Sequence, residues 1–183
     1  DKQITGMFQN ASEWGPRALG NRSIIFDPRH PEAKQIVNEV KMREDYRPFA
    51  CTVLKENASE YFEMLQLEES PWMSFAIQAK EKAYDEIPSL VHADGTCRIQ
   101  TVTQEQNPNY YNLIKAFGDE TGTPILFNTS FNLGGESLVE TIYDAISTCN
   151  RSMINQLYVP IDQDIEIPYA MILPKKTKEI QKK

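Results

Sequence analysis

Histidine and cysteine are scarce in this sequence, which argues against several kinds of catalytic site. The 183 residues include two histidines and three cysteines, which leaves little material for a histidine-based metal site or a Ser-His-Asp triad. Cys51, Cys97 and Cys149 are widely spaced and form no CxxC pair, so we expect neither a disulfide framework nor a zinc site. Their odd number and wide spacing fit a reducing cytoplasm. Their apolar or small neighbours predict that all three are buried in the core.

Long hydrophobic runs and a secretory signal are also absent. No apolar run reaches the length of a membrane span, so we expect a soluble, cytoplasmic protein without membrane contacts. The chain lacks an initiator methionine and opens just before an apparent strand at residues 4–8. We therefore expect a fragment of a longer protein, with one domain at residues 1–173 and a basic, frayed tail at residues 174–183.

Acidic residues outnumber basic residues over the whole chain. The formal net charge of −7 argues against broad, nonspecific binding of nucleic acid. It does not argue against a local phosphate site, because charges more than about 8 Å away are largely screened at physiological salt. What counts is which side chains line a pocket.

Apolar patterning predicts a layered α/β (α+β) fold around a mixed sheet. Strands are predicted at residues 4–8, 50–54, 72–79, 91–93, 97–102 and 124–127, with a turn at Asp94-Gly95. The run at residues 124–127 is continuously apolar, which predicts a central strand buried on both faces. Residues 80–88 are predicted to be a charged connection and residues 128–135 a polar loop.

Helices are predicted where apolar residues recur every three to four positions after a capping residue. They are expected from Pro31 to about Arg43, at residues 57–65, from Asn107-Pro108 to Gly118–Gly122, and after Thr141 with Asp144 at the third position. We see no internal repeat.

The segment at residues 14–23, which we call the arginine loop, holds Arg17 and Arg22 five positions apart. Gly15, Pro16 and Gly20 interrupt it, so it can bend and expose backbone N–H groups beside two guanidinium forks. That chemistry suits an anion, of which phosphate is the commonest. The alternative is a surface loop whose arginines pair with carboxylates.

Three segments further along the chain offer the same chemistry. Lys41, Arg43 and Arg47 follow one another at the end of the first predicted helix; basic residues there could merely offset the helix dipole, although that explains Arg47 less well. Arg98 shares a strand face with Gln100, and it is either an ordinary solvated residue or a ligand for phosphate or carboxylate.

The third segment follows the predicted central strand and contains the side chains of Asn128, Thr129, Ser130 and Asn132. Ligands bind beyond the carboxyl ends of strands in open α/β sheets, although a turn with Phe131 as a packing anchor is the alternative. Together these cations and neutral donors suggest adenylyl or phosphoryl transfer, where catalysis is mainly positioning and charge stabilisation.

Four segments of the chain resemble the carbamoyltransferases of antibiotic and nodulation-factor biosynthesis. They are residues 13–24, 41–50, 92–102 and 124–132. The resemblance covers roughly residues 3–150, is poor beyond them, and is to the C-terminal domain of that family. It implies a YrdC-like fold, a twisted mixed sheet flanked by helices with a basic concave face.

The resemblance also implies a function and roles for individual residues. Lys41/Arg43 and Ser130/Asn132 match the Lys-x-Arg and Ser-x-Asn pairs that bind nucleotide in YrdC-like proteins. The implied reaction takes carbamoyl phosphate and ATP, with Mg²⁺, to a carbamoyl-adenylate. The implied catalytic residues are Lys41, Arg47, Arg98 and Ser130, and the implied nucleotide-binding residues are Arg17, Arg22, Arg43, Asn128, Thr129 and Asn132.

The same resemblance implies an actin-like N-terminal domain, outside this chain, that holds an iron ion and passes the carbamoyl group to an acceptor hydroxyl. Two other functions stay open. One is a non-catalytic, nucleotide-binding regulatory module of YrdC-like fold. The other is a small RNA-binding domain, against which the acidic balance and the lack of interleaved exposed aromatics count.

Overall fold

Eight strands form one mixed sheet in the computed structural model, which describes residues 3–160 and 170–172. The strands are β1 (Thr5–Phe8), β2 (Arg22–Phe26), β3 (Ala50–Leu54), β4 (Ala76–Gln78), β5 (Thr96–Val102), β6 (Ile125–Ser130), β7 (Gln156–Tyr158) and β8 (Ala170–Ile172). Their order across the sheet is β4-β5-β3-β6-β2-β1-β7-β8. The predicted α/β class is confirmed, and the tail expected at residues 174–183 lies outside the described residues.

Five α-helices accompany the sheet: α1 (Ala33–Lys41), α2 (Ala58–Tyr61), α3 (Glu81–Glu86), α4 (Pro108–Thr121) and α5 (Ile142–Arg151). The caps predicted for the last two are confirmed. The Asn107 side chain accepts from the Tyr110 N–H, and Thr141 and Asp144 form a capping box. No helix of the described residues is long and apolar enough to cross a membrane.

Several elements are shorter than predicted. The helix expected at residues 57–65 ends at Tyr61, because Phe62 leaves it to form an isolated bridge with Ala79. The strand expected at residues 72–79 is reduced to Ala76–Gln78. The first helix begins at Ala33 rather than Pro31 and ends before Met42, which adopts a left-handed conformation.

Other segments predicted to be irregular contain regular structure. Residues 22–26 form β2, which pairs with β1 and β6 and so depends on partners distant in sequence. The charged connection at residues 80–88 contains α3. The central strand extends to Ser130, so residues 128–130 belong to β6 and not to a loop, and residues 91–93 form no strand.

The two faces of the sheet are covered differently. One face holds the larger core, in which residues of α1, α3 and α5 pack on strand residues such as Ile24, Ile99 and Phe127. On the other face, Tyr110 and Ile114 of α4 pack on Leu126 and its neighbours. The predicted central position of β6 is confirmed, and the three free cysteines are buried as expected.

Strand register brings the candidate site residues together at one end of the central strands. Ala50, the first residue of β3, lies opposite Arg98 of β5 and Asn128 of β6. Ser130, which ends β6, lies opposite Ser23 near the start of β2. The carboxyl end of β6 therefore meets the amino ends of β2, β3 and β5.

Candidate functional site

Lys41 is the last residue of α1 and one of the few buried charges of the molecule. Its residue surface is 3% exposed. The Nζ atom donates to the backbone oxygen of Ser130 at 2.5 Å, to Asn132 Oδ1 at 2.9 Å and to Ser130 Oγ at 3.1 Å. An ammonium group has three donors, so all of them are directed to neutral oxygens and none to a carboxylate.

A close approach between two backbone segments holds this arrangement. The Gly134 N–H donates to the Lys41 backbone oxygen at 2.6 Å. A Cβ atom at Gly134 would lie 2.9 Å from that oxygen and 2.8 Å from the Met42 oxygen, too close for any side chain. Ser130 Oγ donates to Asn132 Oδ1 at 2.6 Å, which fixes the two groups that face the ammonium.

Burial shapes the electrostatics of this lysine. Desolvation, with a smaller contribution from the neighbouring Arg43 guanidinium, lowers the pKa of Lys41 to about 7. Near neutral pH the site therefore holds a lysine that is poised between its two protonation states. An anion placed beside Nζ would favour the charged form.

Lys41, Ser130 and Asn132 line a cleft of about 620 Å³, together with Arg43 and Arg47; we call it the lysine cleft. The Arg43 guanidinium lies over the Phe49 ring, 4.0 Å from its centroid, and its Nε donates to Asn38 Oδ1 at 2.7 Å. Its buried Nη2 has no partner within the described residues.

Other guanidinium groups surround Arg43. Desolvation, followed by the charges of Arg47 and Arg98, lowers the pKa of Arg43 to about 10. Arg47 itself pairs with Glu44, with 2.8 Å between Arg47 Nε and the carboxylate. Both side chains are about half exposed, so that pair adds little stability.

Arg98 lies at the amino end of β5, and its guanidinium is largely uncompensated. Its buried Nε has no partner, and the described part of the chain offers it no side-chain hydrogen bond or ion pair. Desolvation and then the charge of Arg17 lower the pKa of Arg98. The predicted alternation is confirmed, because Cys97 and Ile99 lie in the core on the opposite face.

Arg22 differs from the other candidate residues, because backbone carbonyls occupy its guanidinium. Nη1 donates to the oxygens of Gln9 at 2.6 Å and Asn21 at 3.1 Å, and Nη2 donates to those of Asn10 at 3.0 Å and Glu140 at 3.2 Å. The group also lies over the Phe8 ring, 3.7 Å from the centroid. Arg22 therefore joins three chain segments rather than lining the lysine cleft.

The Glu13 carboxylate accepts hydrogen bonds from backbone N–H groups of the arginine loop. These groups were expected to bind an anion. Glu13 Oε1 accepts from the N–H groups of Leu19 and Asn21 at 2.7 Å, and of Arg22 at 3.3 Å. Arg17 remains exposed, without a hydrogen bond or ion pair to any described residue. The loop thus presents the Arg17 guanidinium to solvent and turns the N–H groups of Leu19, Asn21 and Arg22 inward to Glu13.

Asn128 supports the arginine loop from within the protein. It is buried, and its Nδ2 donates to Thr52 Oγ1 at 2.9 Å, to Gln100 Oε1 at 3.2 Å and to the Ala18 oxygen at 3.2 Å. Gln100 Nε2 donates in turn to the Leu19 oxygen at 2.9 Å. Thr129 is half-buried in β6, opposite Ile24.

The structure thus brings together part of the expected set. Lys41, Arg43, Arg47, Ser130 and Asn132 share the lysine cleft, and Arg98 lies close enough to Arg43 to lower its pKa. Arg17 lines a second cleft, of about 480 Å³, with Trp14 and Trp72; we call it the tryptophan cleft. The side chains of Arg22 and Asn128 instead form hydrogen bonds with other residues of the protein.

Three residues that position the site were missed from the sequence. Glu13 could have been suspected from its place directly before a segment rich in N–H donors. Gln100 was seen only as a strand neighbour of Arg98, and Gly134 only as part of a loop. Their roles depend on contacts with Leu19 and Lys41, which lie far from Gln100 and Gly134 in the chain.

Comparison with known proteins identifies a family. The profile described as "Carbamoyltransferase C-terminus" matches residues 1–162. Nodulation protein NolO of Bradyrhizobium diazoefficiens is 47% identical over 158 residues, which are 85% of this chain and 29% of the relative. Nodulation protein NolNO of Sinorhizobium fredii is 46% identical over 161 residues, 87% of this chain and 24% of the relative.

A third relative carries an enzyme name. It is the 3'-hydroxymethylcephem-O-carbamoyltransferase of Amycolatopsis lactamdurans, 32% identical over 157 residues, which are 86% of this chain and 29% of the relative. The chain thus spans between 24% and 29% of the length of these relatives. Because the family profile covers most of its residues, the chain belongs to the carbamoyltransferase C-terminus family.

Proposed function

We propose that this chain binds carbamoyl phosphate and ATP at the lysine cleft and joins the carbamoyl group to AMP, forming a carbamoyl-adenylate. One observation carries the proposal: the buried ammonium of Lys41 faces only neutral oxygens, while Arg43 lies beside it and Arg98 beside Arg43, each with an unfilled donor. Clustered cations are costly until a polyanion compensates them, and phosphoryl groups are the anions that guanidinium forks fit.

The proposed reaction balances with one water molecule. Carbamoyl phosphate, ATP and water give carbamoyl-adenylate, pyrophosphate from ATP and inorganic phosphate from carbamoyl phosphate. Lys41, Arg47 and Arg98 stabilise the negative charge on the reacting phosphoryl oxygens. Ser130 is the neutral catalytic partner of Lys41, whereas Arg43 and Asn132 bind the nucleotide in the lysine cleft and Arg17 binds it from the tryptophan cleft.

The donor set suits Mg²⁺ that arrives on the phosphates. Within residues 3–160 and 170–172 no group of three His, Cys, Asp or Glu side chains could hold a metal ion, and Glu44 is the carboxylate that lines the lysine cleft. Mg²⁺ is commonly held by one or two carboxylates together with substrate phosphates. When bound, the ion would neutralise phosphate charge, with Glu44 as its protein ligand.

The remaining part of the proposed function lies outside this chain, which spans about a quarter of its relatives. One relative's name specifies O-carbamoyl transfer. We propose that an actin-like N-terminal domain, which holds an iron ion, receives the activated carbamoyl group and passes it to an acceptor hydroxyl.

Exchange of labelled pyrophosphate into ATP tests the proposal. We expect exchange in the 183-residue chain to require both carbamoyl phosphate and Mg²⁺, and Lys41→Met to abolish it. Lys115→Met is the matched control, because Lys115 is an exposed lysine of α4 that pairs with Asp119. Nucleotide binding by calorimetry without any exchange would favour the non-catalytic regulatory module, and absence of binding would contradict both functions.

A further inference from the structure

The tryptophan cleft contains both tryptophans of the chain. Trp14 is fully exposed, and Trp72 is 67% exposed. Large aromatic side chains in such positions offer flat apolar faces that gain free energy when a ligand covers them. The cleft volume of about 480 Å³ lies within the range of about 300–1,000 Å³ that is usual for small-molecule sites.

The remaining lining mixes neutral polar residues with apolar residues, glycine and proline in equal number. Serine and amide side chains dominate among the polar residues that line the cleft, and its two charged residues are Glu13 and Arg17. The Glu13 carboxylate is turned inward, with Oε1 on three backbone N–H groups and Oε2 buried. The charge that the cleft presents outward is therefore the exposed guanidinium of Arg17.

A row of guanidinium groups connects this cleft to the lysine cleft. Gln100, which lines the tryptophan cleft, follows Arg98 by two residues and so lies on the same face of β5. Arg98 lies opposite Ala50 in the pairing of β3 and β5. Ala50 directly follows Phe49, and the Arg43 guanidinium lies over the Phe49 ring. Arg17 lines the cleft with Trp14 and Trp72. It is close enough to Arg98 to lower the pKa of that residue, as Arg98 is to Arg43. The order is thus tryptophan faces, Arg17, Arg98 and Arg43.

We propose that the tryptophan cleft binds the base of the nucleotide whose phosphates lie along Arg17, Arg98 and Arg43. This proposal rests on the proposed function for the phosphate part. Two aromatic faces with neutral polar edges suit an uncharged heterocycle, and the adjoining cations require that the heterocycle be joined to an anion. A nucleotide has both parts in one molecule, in the same order as the two surfaces.

Intrinsic fluorescence tests the proposal directly, because both tryptophans of the 183-residue chain line this one cleft. The probes are ATP, inorganic triphosphate and adenosine, each also titrated by calorimetry. We expect ATP to quench the tryptophan emission with the same midpoint as its heat of binding. Inorganic triphosphate should bind with little quenching, because it lacks the base.

Two variants separate the base from the phosphates. Trp14→Ala and Trp72→Ala should each weaken ATP binding about tenfold, the usual effect of losing one stacking partner. Both should leave the affinity for inorganic triphosphate and the melting temperature unchanged. Tyr143→Ala is the matched control, since Tyr143 is an aromatic residue of α5 that is 80% exposed outside both clefts, and it should change nothing.

The outcomes distinguish this proposal from the proposed function. If ATP and carbamoyl phosphate bind but ATP leaves the fluorescence unchanged, or if both tryptophan variants bind ATP normally, the base lies elsewhere and only this proposal is overturned. If neither ATP, triphosphate nor carbamoyl phosphate binds to the folded chain, the proposed function fails and this proposal fails with it.

Discussion

The base of the arginine loop and the lysine cleft use the same residue types in opposite ways. At the base of the loop, the Arg22 guanidinium meets four backbone carbonyls, and the Glu13 carboxylate meets three backbone N–H groups. In the lysine cleft and beside it, among the described residues, the Arg43 guanidinium donates only through Nε, to Asn38 Oδ1, and the Arg98 guanidinium donates to no residue. Arg22 Nε is also buried without a partner in that part of the chain, so the two regions differ in what the terminal guanidinium nitrogens contact. The first arrangement stabilises the fold, whereas the second stores cationic donors for a ligand.

An arginine in a conspicuous motif is not thereby a ligand. Arg17 and Arg22 belong to the same ten-residue segment, yet Arg17 is exposed and Arg22 is 3% exposed. Their neighbours in space decide their roles. Substitutions that separate the free energy of unfolding from ligand affinity test this assignment of roles.

The largest effect is expected from Arg22→Ala. Removing the guanidinium takes a donor from four carbonyls, of which the Asn21 oxygen still accepts from the Gln9 N–H, and uncovers the Phe8 ring. We expect the free energy of unfolding to fall by about 3–5 kcal/mol, measured by urea denaturation.

Arg17→Ala is the control for that experiment, because the same residue type is removed from the same loop at an exposed position. It should change the free energy of unfolding by less than about 0.5 kcal/mol. Equal destabilisation by the two substitutions would break the distinction between a structural and a ligand-binding arginine.

Arg98→Ala should weaken ligand binding and leave stability nearly unchanged, the opposite of Arg22→Ala. Truncating a desolvated ligand to a phosphoryl group should cost about 2–5 kcal/mol of binding free energy and lower the rate of adenylate formation about 10²–10³-fold. We expect the urea midpoint to stay near that of the unsubstituted chain, because Arg98 forms no side-chain hydrogen bond to a described residue.

Arg98→Lys tests whether the forked guanidinium matters as well as its charge. Lysine keeps the charge but cannot make two parallel hydrogen bonds, so we expect this variant also to lose most activity. Arg29→Lys, at an exposed arginine paired with Asp27, is the control. Normal activity of Arg98→Lys would show that the fork is unnecessary, and normal activity of Arg98→Ala would remove Arg98 from the site.

The pH dependence of stability should reveal Lys41. Its pKa is about 7 in the folded chain against 10.5 for the free side chain, so between these values the unfolded state binds the proton and the folded state does not. Stability therefore rises with pH across this window, by at most about 1.4 kcal/mol per pH unit. Below pH 7 both states carry the proton and this slope disappears.

Urea denaturation at a series of pH values measures this slope. Lys41→Met should abolish it, while Lys115→Met, at an exposed lysine, should preserve it. A slope that survives in Lys41→Met would assign the titration to another group. Saturating inorganic phosphate should also flatten the slope, because a bound anion favours the charged lysine.

Much of the fold could be predicted because its signals are local. The caps Asn107 and Thr141 lie within four residues of the groups they bond, so their helices were found. The strand β2 was missed because its pairing with β1 and β6 is not visible in a five-residue window. The helix α3 was missed because charged residues dominate it and leave little apolar periodicity.

The candidate site likewise has a part that the sequence predicts and a part that depends on contacts between distant segments. The resemblance implied that Lys41 and Ser130 act together, and the structure places them in hydrogen-bond contact across 89 positions of the chain. Nothing in the residue pattern distinguished Arg22 from Arg17, since the difference lies in carbonyls of Gln9, Asn10 and Glu140. Backbone acceptors carry no sequence signature, so the structural role of Arg22 could not be predicted without knowledge of the fold.

The smallest effect is expected from Ser130→Ala, and it tests how redundant the lysine cleft is. Lys41 Nζ keeps the Ser130 backbone oxygen and Asn132 Oδ1 after the hydroxyl is removed, so the ammonium stays in place. We expect a loss of about 1 kcal/mol in the binding of carbamoyl phosphate or ATP, the value of one hydrogen bond, and almost no change in the urea midpoint. Unfolding of this variant would instead show that the Ser130 hydroxyl serves the fold and not the ligand. A loss of affinity with a preserved fold would mean that even the neutral oxygens around Lys41 serve the ligand, which places the whole cleft in contrast to the base of the arginine loop.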